Sequence, residues 1–177
     1  MAEVFVNSLT KSAGIVTTSS AGIIAAESTT ITGISTAGVA VGYLVDNQHF
    51  RGGAKVTAIG AAQVTVDKTS TNTAGASTQI VSFLGPTVAY TSPAATKSIL
   101  IGGTFSNLTG NNVNITVEVV TGVTSTTIAN KIPVPNGSSF VISDAGKTVL
   151  AGGDVINLYC DNEAAIDGTL GILQGVN

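Results

Sequence analysis

Lys97-Ser-Ile-Leu-Ile101, the stretch Gly102 to Asn112, and Val113-Asn-Ile-Thr-Val-Glu-Val119 decide how this chain is read. In the last of these, Val113, Ile115, Val117 and Val119 alternate with Asn114, Thr116 and Glu118. A period of two puts the branched side chains on one side of an extended strand and the polar ones on the other. A helix would need apolar residues three and four apart, a spacing nearly absent from the whole chain. Asn107 to Asn112 carries the Asn and Gly that tight turns favour, so the segment reads as strand, turn, strand.

Working outward, Ser125 to Ile132 pairs next and is ended by Pro133 and Pro135. Ser139 to Ile142, Val149-Leu150, Val155 to Cys160 and Gly168 to Leu173 complete a set of about seven short strands separated by turn signals. That spacing predicts an antiparallel β-sandwich, jelly-roll or Ig-like. Trp is absent, so its core must be filled by Ile, Val, Leu, Phe105, Phe140 and Tyr159.

The first half has the same grammar. Ile15 to Thr18, Ser28 to Thr32, Lys55 to Gly60, Gln63 to Asp67 and Gln79 to Phe83 are candidate strands, with Gly60-Ala61-Ala62 short enough for a hairpin. Ala37 to Tyr43, interrupted by Gly38 and Gly42, fits either a short turn of helix or a bulged strand. At Gly85-Pro86 the pattern breaks, which predicts a linker over Leu84 to Pro93. The expected fold is therefore all-β, with two small β domains: residues 1–85 and, as the sandwich, 86–177.

A chain of 177 residues with 44% hydrophobic content can bury a sizeable core. Only 10% of its residues are charged, against roughly 25% in an ordinary soluble domain. Few charges hold copies apart, which suits a subunit of an assembly. A net charge of −3 and seven scattered Lys and Arg form no basic patch, so no nucleic-acid partner is expected. Cys160 is the single cysteine, so no intrachain disulfide forms. Glu3 stands where a signal peptide needs a basic region, and no apolar run reaches the roughly 18 residues of a membrane span. The expectation is a chain kept in the cytoplasm until it assembles, with no membrane partner. The sequons at Asn107, Asn114 and Asn136 are then products of an Asn/Ser/Thr-rich composition.

Residues that carry chemistry are sparse. His49 is the only histidine, in the polar stretch Asp46-Asn-Gln-His-Phe-Arg51, which excludes a multi-histidine zinc site and reads as a loop or strand-edge residue. Cys160 ends an apolar strand and reads as a small buried hydrophobe. Asp154, Asp161, Glu163 and Asp167 cluster in sequence without the spacing of a calcium loop, and Asp154 after Gly152-Gly153 reads as a turn cap. Gly52-Gly53 and Gly102-Gly103 lack the Lys-Ser/Thr of a phosphate loop. Neither an enzyme nor any catalytic, cofactor or metal site is expected. Asn- and Thr-lined strand faces could bind sugars, but three tyrosines leave few stacking platforms.

Two runs of phrases carry a resemblance. Ile31-Thr-Gly-Ile-Ser-Thr-Ala-Gly-Val-Ala-Val-Gly-Tyr-Leu-Val45, followed by Gly53 to Gly60 and Gln63 to Asp67, resembles a module of virion and fibre-associated phage proteins. Lys97-Ser-Ile-Leu100, Asn107 to Val119, Ile132 to Ser139 and Val149 to Ile156 resemble a second one, departing from it by an added glycine in Gly152-Gly153-Asp154. The resemblance, to structural proteins of tailed bacteriophages, implies a non-enzymatic virion subunit made in the host cytoplasm. Its partners would be the major capsid protein or neighbouring virion subunits, in a homo-oligomer. Capsid decoration is the first expectation; a neck, tail or fibre-attachment component is the alternative, and a carbohydrate-binding sandwich a second. Val4, Phe5 and Val6 are the candidate assembly contacts, as an arm or first strand.

Overall fold

A computed structural model of the chain describes residues 3–50, 52–73 and 76–176. The described residues hold strands, turns and loops and no helix. In chain order the strands are β1 (Val4–Ala13), β2 (Ile15–Ile24), β3 (Thr30–Thr32), β4 (Leu44–Asp46), β5 (Val56–Gly60), β6 (Gln63–Val66) and β7 (Ser77–Gly85). They continue as β8 (Thr87–Thr91), β9 (Lys97–Asn107), β10 (Val113–Thr121), β11 (Thr124–Val134), β12 (Ser139–Leu150), β13 (Val155–Cys160) and β14 (Ile166–Val176). The all-β expectation holds.

The chain forms two compact units, and the first is discontinuous: Met1–Gly14 belongs with Thr87–Asn177, while Ile15–Pro86 forms the second. This departs from a division into 1–85 and 86–177. The reason is β1, whose residues pair antiparallel with β14 from Val4↔Gln174 to Ala13↔Ile166. Nor is there a linker over Leu84 to Pro93, because β7 runs to Gly85, β8 starts at Thr87, and Pro86 alone separates them.

In the discontinuous unit, the sheet order is β1-β14-β9-β12 in one layer and β11-β10-β13-β8 in the other. Every pair is antiparallel, and the pairs β10/β11, β9/β12, β8/β13 and β1/β14 nest inside one another. Counting its eight strands alone, the order is first-eighth-third-sixth facing fifth-fourth-seventh-second. This is the jelly-roll arrangement, a long ribbon of paired strands rolled into a sandwich. It resolves the expected alternatives in favour of the jelly roll. Leu100, Phe105, Leu150, Leu170 and Ile172 from one layer meet Ile115, Val117, Ile156, Leu158 and Cys160 from the other in one buried core. Phe140 packs against this core and stacks on Phe105 with ring centroids 6.4 Å apart.

Two local departures have plain causes. β11 continues through Pro133 to Val134 because it is an edge strand, where a missing N–H costs no ladder bond. Ser139–Leu150 is one strand rather than two pieces, since a register shift between Ser143 and Thr148 absorbs the intervening residues as a bulge.

The inserted unit is a six-stranded antiparallel sheet in the order β4-β7-β2-β3-β6-β5. Its two edges meet: Leu44 bridges Lys55, and the backbone bonds Gly42 N to Val56 O (2.8 Å), Val56 N to Tyr43 O (2.9 Å) and Val45 N to Ala54 O (2.8 Å) join them. The sheet is thus a small closed barrel filled by Ile24, Ile31, Phe50, Val64, Val66, Val81 and Phe83. Gly60 pairs with Gln63, so the hairpin turn is Ala61-Ala62, with Ala62 at φ 52. The stretch Ala37 to Tyr43 is neither helix nor bulged strand but successive turns.

Within the jelly roll the backbone N–H of Gly14 donates to Thr87 Oγ1 at 3.5 Å, so the two ends left by removing residues 15–86 already adjoin. A chain with that insertion replaced by a short Gly linker is expected to fold, with a β-type circular dichroism spectrum and a cooperative melt. Residues 87–177 alone, lacking β1, are expected not to melt cooperatively. The opposite pair of results would contradict the discontinuous unit.

Candidate functional site

The candidate contacts Val4, Phe5 and Val6 lie on β1, a first strand rather than a loose arm, and β1 is the edge of its sheet. Alternation divides them. Val6 opposes Ile172 and packs against the jelly-roll core, whereas Phe5 opposes Leu173 on the outer face and is 76% exposed. Val4 is half exposed.

The outer face that Phe5 enters was not singled out from sequence. Register carries a row of apolar side chains across all four strands, Phe5 to Leu173 to Ile99 to Val149. Four residues along β1, a second row runs from Leu9 through Thr169 and Thr104 to Val141. Leu9 is 75% exposed, and Val141 and Val149 nearly 60%. Between the two rows lie Asn7, Gly171, Gly102 and Ser143. The signal was present in Lys97-Ser-Ile-Leu-Ile101: Leu100 is buried and Ile99 and Ile101 face the other way, so this strand is apolar on both faces.

The residues that carry chemistry do not converge. Among the described residues no three of His, Cys, Asp and Glu could share a metal ion. Asp154 caps its turn as expected, accepting Ala151 N at 2.8 Å, and Gly152 is required there because a Cβ would stand 2.3 Å from the Ala94 carbonyl oxygen. Asp161 accepts both the backbone N and the Nδ2 of Asn114, at 2.8 and 2.7 Å, and Asp167 accepts Ser12 N at 2.7 Å. These three aspartates are therefore spent on separate turns or strand ends, and the fourth acid of the cluster, Glu163, is exposed. His49 is half-buried in the loop after β4; its N–H donates to Asn47 Oδ1, and its carbonyl accepts Thr71 N and Oγ1.

The sequon residue Asn107 is a buried tie. Its Nδ2 donates to the carbonyls of Asn111 and Val134, and its Oδ1 accepts Thr109 N and Oγ1. The tyrosines face inward as well. Tyr90 is buried, its hydroxyl 2.8 Å from Ser98 Oγ and accepting from Gln174 Nε2 at 2.9 Å; Tyr159 is buried and donates to Glu118 at 3.0 Å; Tyr43 packs against the barrel core. Burial first, and then the Glu118 carboxylate, push the Tyr159 phenol well above its ordinary 10.0.

Neither a protein-family model, nor a curated protein, nor a solved structure matches the chain.

Cys160 lies in the jelly-roll core, and burial pushes its thiol from 9.0 up to about 11, with the Asp161 carboxylate adding to the rise. A thiol held above its unfolded value contributes stability that is full below pH 9.0 and lost as pH climbs towards about 11. Denaturant midpoints are therefore expected to fall across that window, and Cys160→Ala to flatten part of the fall. An unchanged slope in the variant would show that the thiol is not held in the core.

Proposed function

We propose that the chain is a non-enzymatic structural subunit of a tailed-phage particle, and that its place is on the capsid as a decoration protein. The observation that carries the reading is the architecture: a jelly roll with a closed barrel inserted between its first two strands, with Asp154, Asp161 and Asp167 used in turns and at strand ends and the one cysteine in the core. Jelly rolls recur in viral capsid and lectin domains, so fold alone does not choose between these classes. The phage-like phrases lie in both units and favour the particle. The low charge density adds to this, since a repeated subunit gains from surface that is cheap to desolvate. Copy number then multiplies modest contacts.

The jelly roll also supports a sugar-binding reading, with less to offer a ligand. Phe50, Phe83 and Phe105 are buried with Tyr90 and Tyr159, and Phe5 is the aromatic ring presented to solvent at high exposure.

Purified chain is expected to cosediment with empty heads of the encoding phage and to appear as density on the capsid lattice in a particle map. A ring at the portal vertex, or density along the tail, would remove decoration and keep the virion class. Failure to bind particles combined with specific glycan binding would replace both with the lectin reading.

A further inference from the structure

We propose that the outer face of the β1-β14-β9-β12 sheet is a contact surface for a second copy of this chain. The inference stands apart from the particle reading, because it concerns what the chain does by itself.

The face has a surface relief. Two rows of apolar and threonine side chains flank Asn7, Gly171 and Gly102; Ile101, the extra residue of β9 at the register shift beside Gly102, is 41% exposed on the same face, so the shallow trough lies over Gly171 on β14. Glycine inside a strand marks a bulge, a bend or the close approach of another backbone. For Gly171 nothing within the chain demands it. Its φ is not in the left-handed region, and an added Cβ would meet only the Gly102 carbonyl oxygen, at an ordinary 3.8 Å. A larger residue there would fit the isolated molecule and improve strand propensity. Gly171 is accounted for if a ridge from another molecule fills the trough above it.

Charge and area select a second copy as the occupant. The three rows themselves carry no charged side chain, although β12 brings Asp144 and the exposed Lys147 into the register shift between Ser143 and Thr148, so the charges around the rows constrain the partner. Charges flank the rows at both ends: Glu3 and Lys97 at one, Lys11 and Asp167 at the other. Each end thus carries one acid and one base, and a second copy meets an opposite charge in either antiparallel or parallel alignment. Four strands about 4.8 Å apart and about eight residues long make a face of roughly 500 Å². Two copies bury about 1,000 Å², the lower bound for a specific contact, before side-chain relief is counted. A two-fold dimer in which the apolar ridge of each copy lies along the other's glycine trough satisfies all of these features.

Sedimentation velocity of the full chain from about 1 to about 300 µM tests this, a range suited to a contact of this size. Wild type is expected to pass from monomer to dimer within that range. Gly171→Thr fills the trough and is expected to raise the dissociation constant by ~100-fold or more while leaving the monomer's melting temperature unchanged or higher. Leu9→Glu, at an exposed position, is expected to weaken the dimer to a similar extent. Val88→Glu, at a 58% exposed position on the other sheet, is the control and is expected to leave it unchanged. A chain that stays monomeric throughout overturns the proposal. So does a dimer that Gly171→Thr and Leu9→Glu leave intact, or one that Val88→Glu disrupts equally. All of these are read without particles, so they are independent of whether the chain decorates a shell.

Discussion

The antiparallel pairing of β1 with β14 is the constraint on which the rest of the structure depends. It joins residues about as far apart in sequence as the chain allows, Val4 with Gln174 and Ala13 with Ile166. Without it the layer β14-β9-β12 would lose an edge, and Ile172 and Leu170 would lose the cover of Val6 and Ser8. The same strand reaches the other layer, where Ser8 Oγ donates to the Ala89 carbonyl at 2.6 Å. Closing this loop carries an entropic cost that grows only slowly with its length, by about 0.6 kcal/mol per doubling. Because Ile15–Pro86 forms its own compact unit, nearly half of the enclosed chain is ordered independently.

The two units manage their sheet edges in opposite ways. The barrel joins β4 to β5 through backbone hydrogen bonds and so closes its edge. The jelly roll keeps open edges at β1, β12, β11 and β8, with proline in one of them and exposed Phe5 and Leu9 on another. Exposed apolar side chains on an open-edged sheet would be a liability in a protein that stays alone.

Much of the fold was legible because its signals are local. Val113 to Val119 alternates because Val113, Ile115 and Val117 enter the apolar core, although Thr116 and Glu118 on the opposite face are buried as well, and Asn107 to Asn112 carries turn chemistry that Asn107 executes with four hydrogen bonds. The candidate contacts Val4 to Val6 were placed on a first strand, yet its partner could not be read, because no local pattern encodes pairing with residues near 170. The domain boundary suffered for the same reason: Pro86 marks a true break, but the break is the exit of an insertion. The bulge in β12 looked like a turn because Asp144-Ala-Gly-Lys147 has turn composition. The outer-face rows were missed because they assemble from four strands distant in sequence, and only register aligns them. Asp154 was legible as a turn cap after Gly152-Gly153, and the bond it accepts from Ala151 N agrees with that reading.

Amide hydrogen exchange of the full chain, read on peptides covering residues 3–14, 15–86 and 87–176, shows whether β1 closes the jelly roll. The β1 amides bonded to β14 are expected to be protected with the same opening free energy as those of β9 and β14, and independently of the barrel. Rapid exchange of residues 4–13, or protection that follows residues 15–86 as denaturant is raised, would contradict a jelly roll closed by the chain's own first strand.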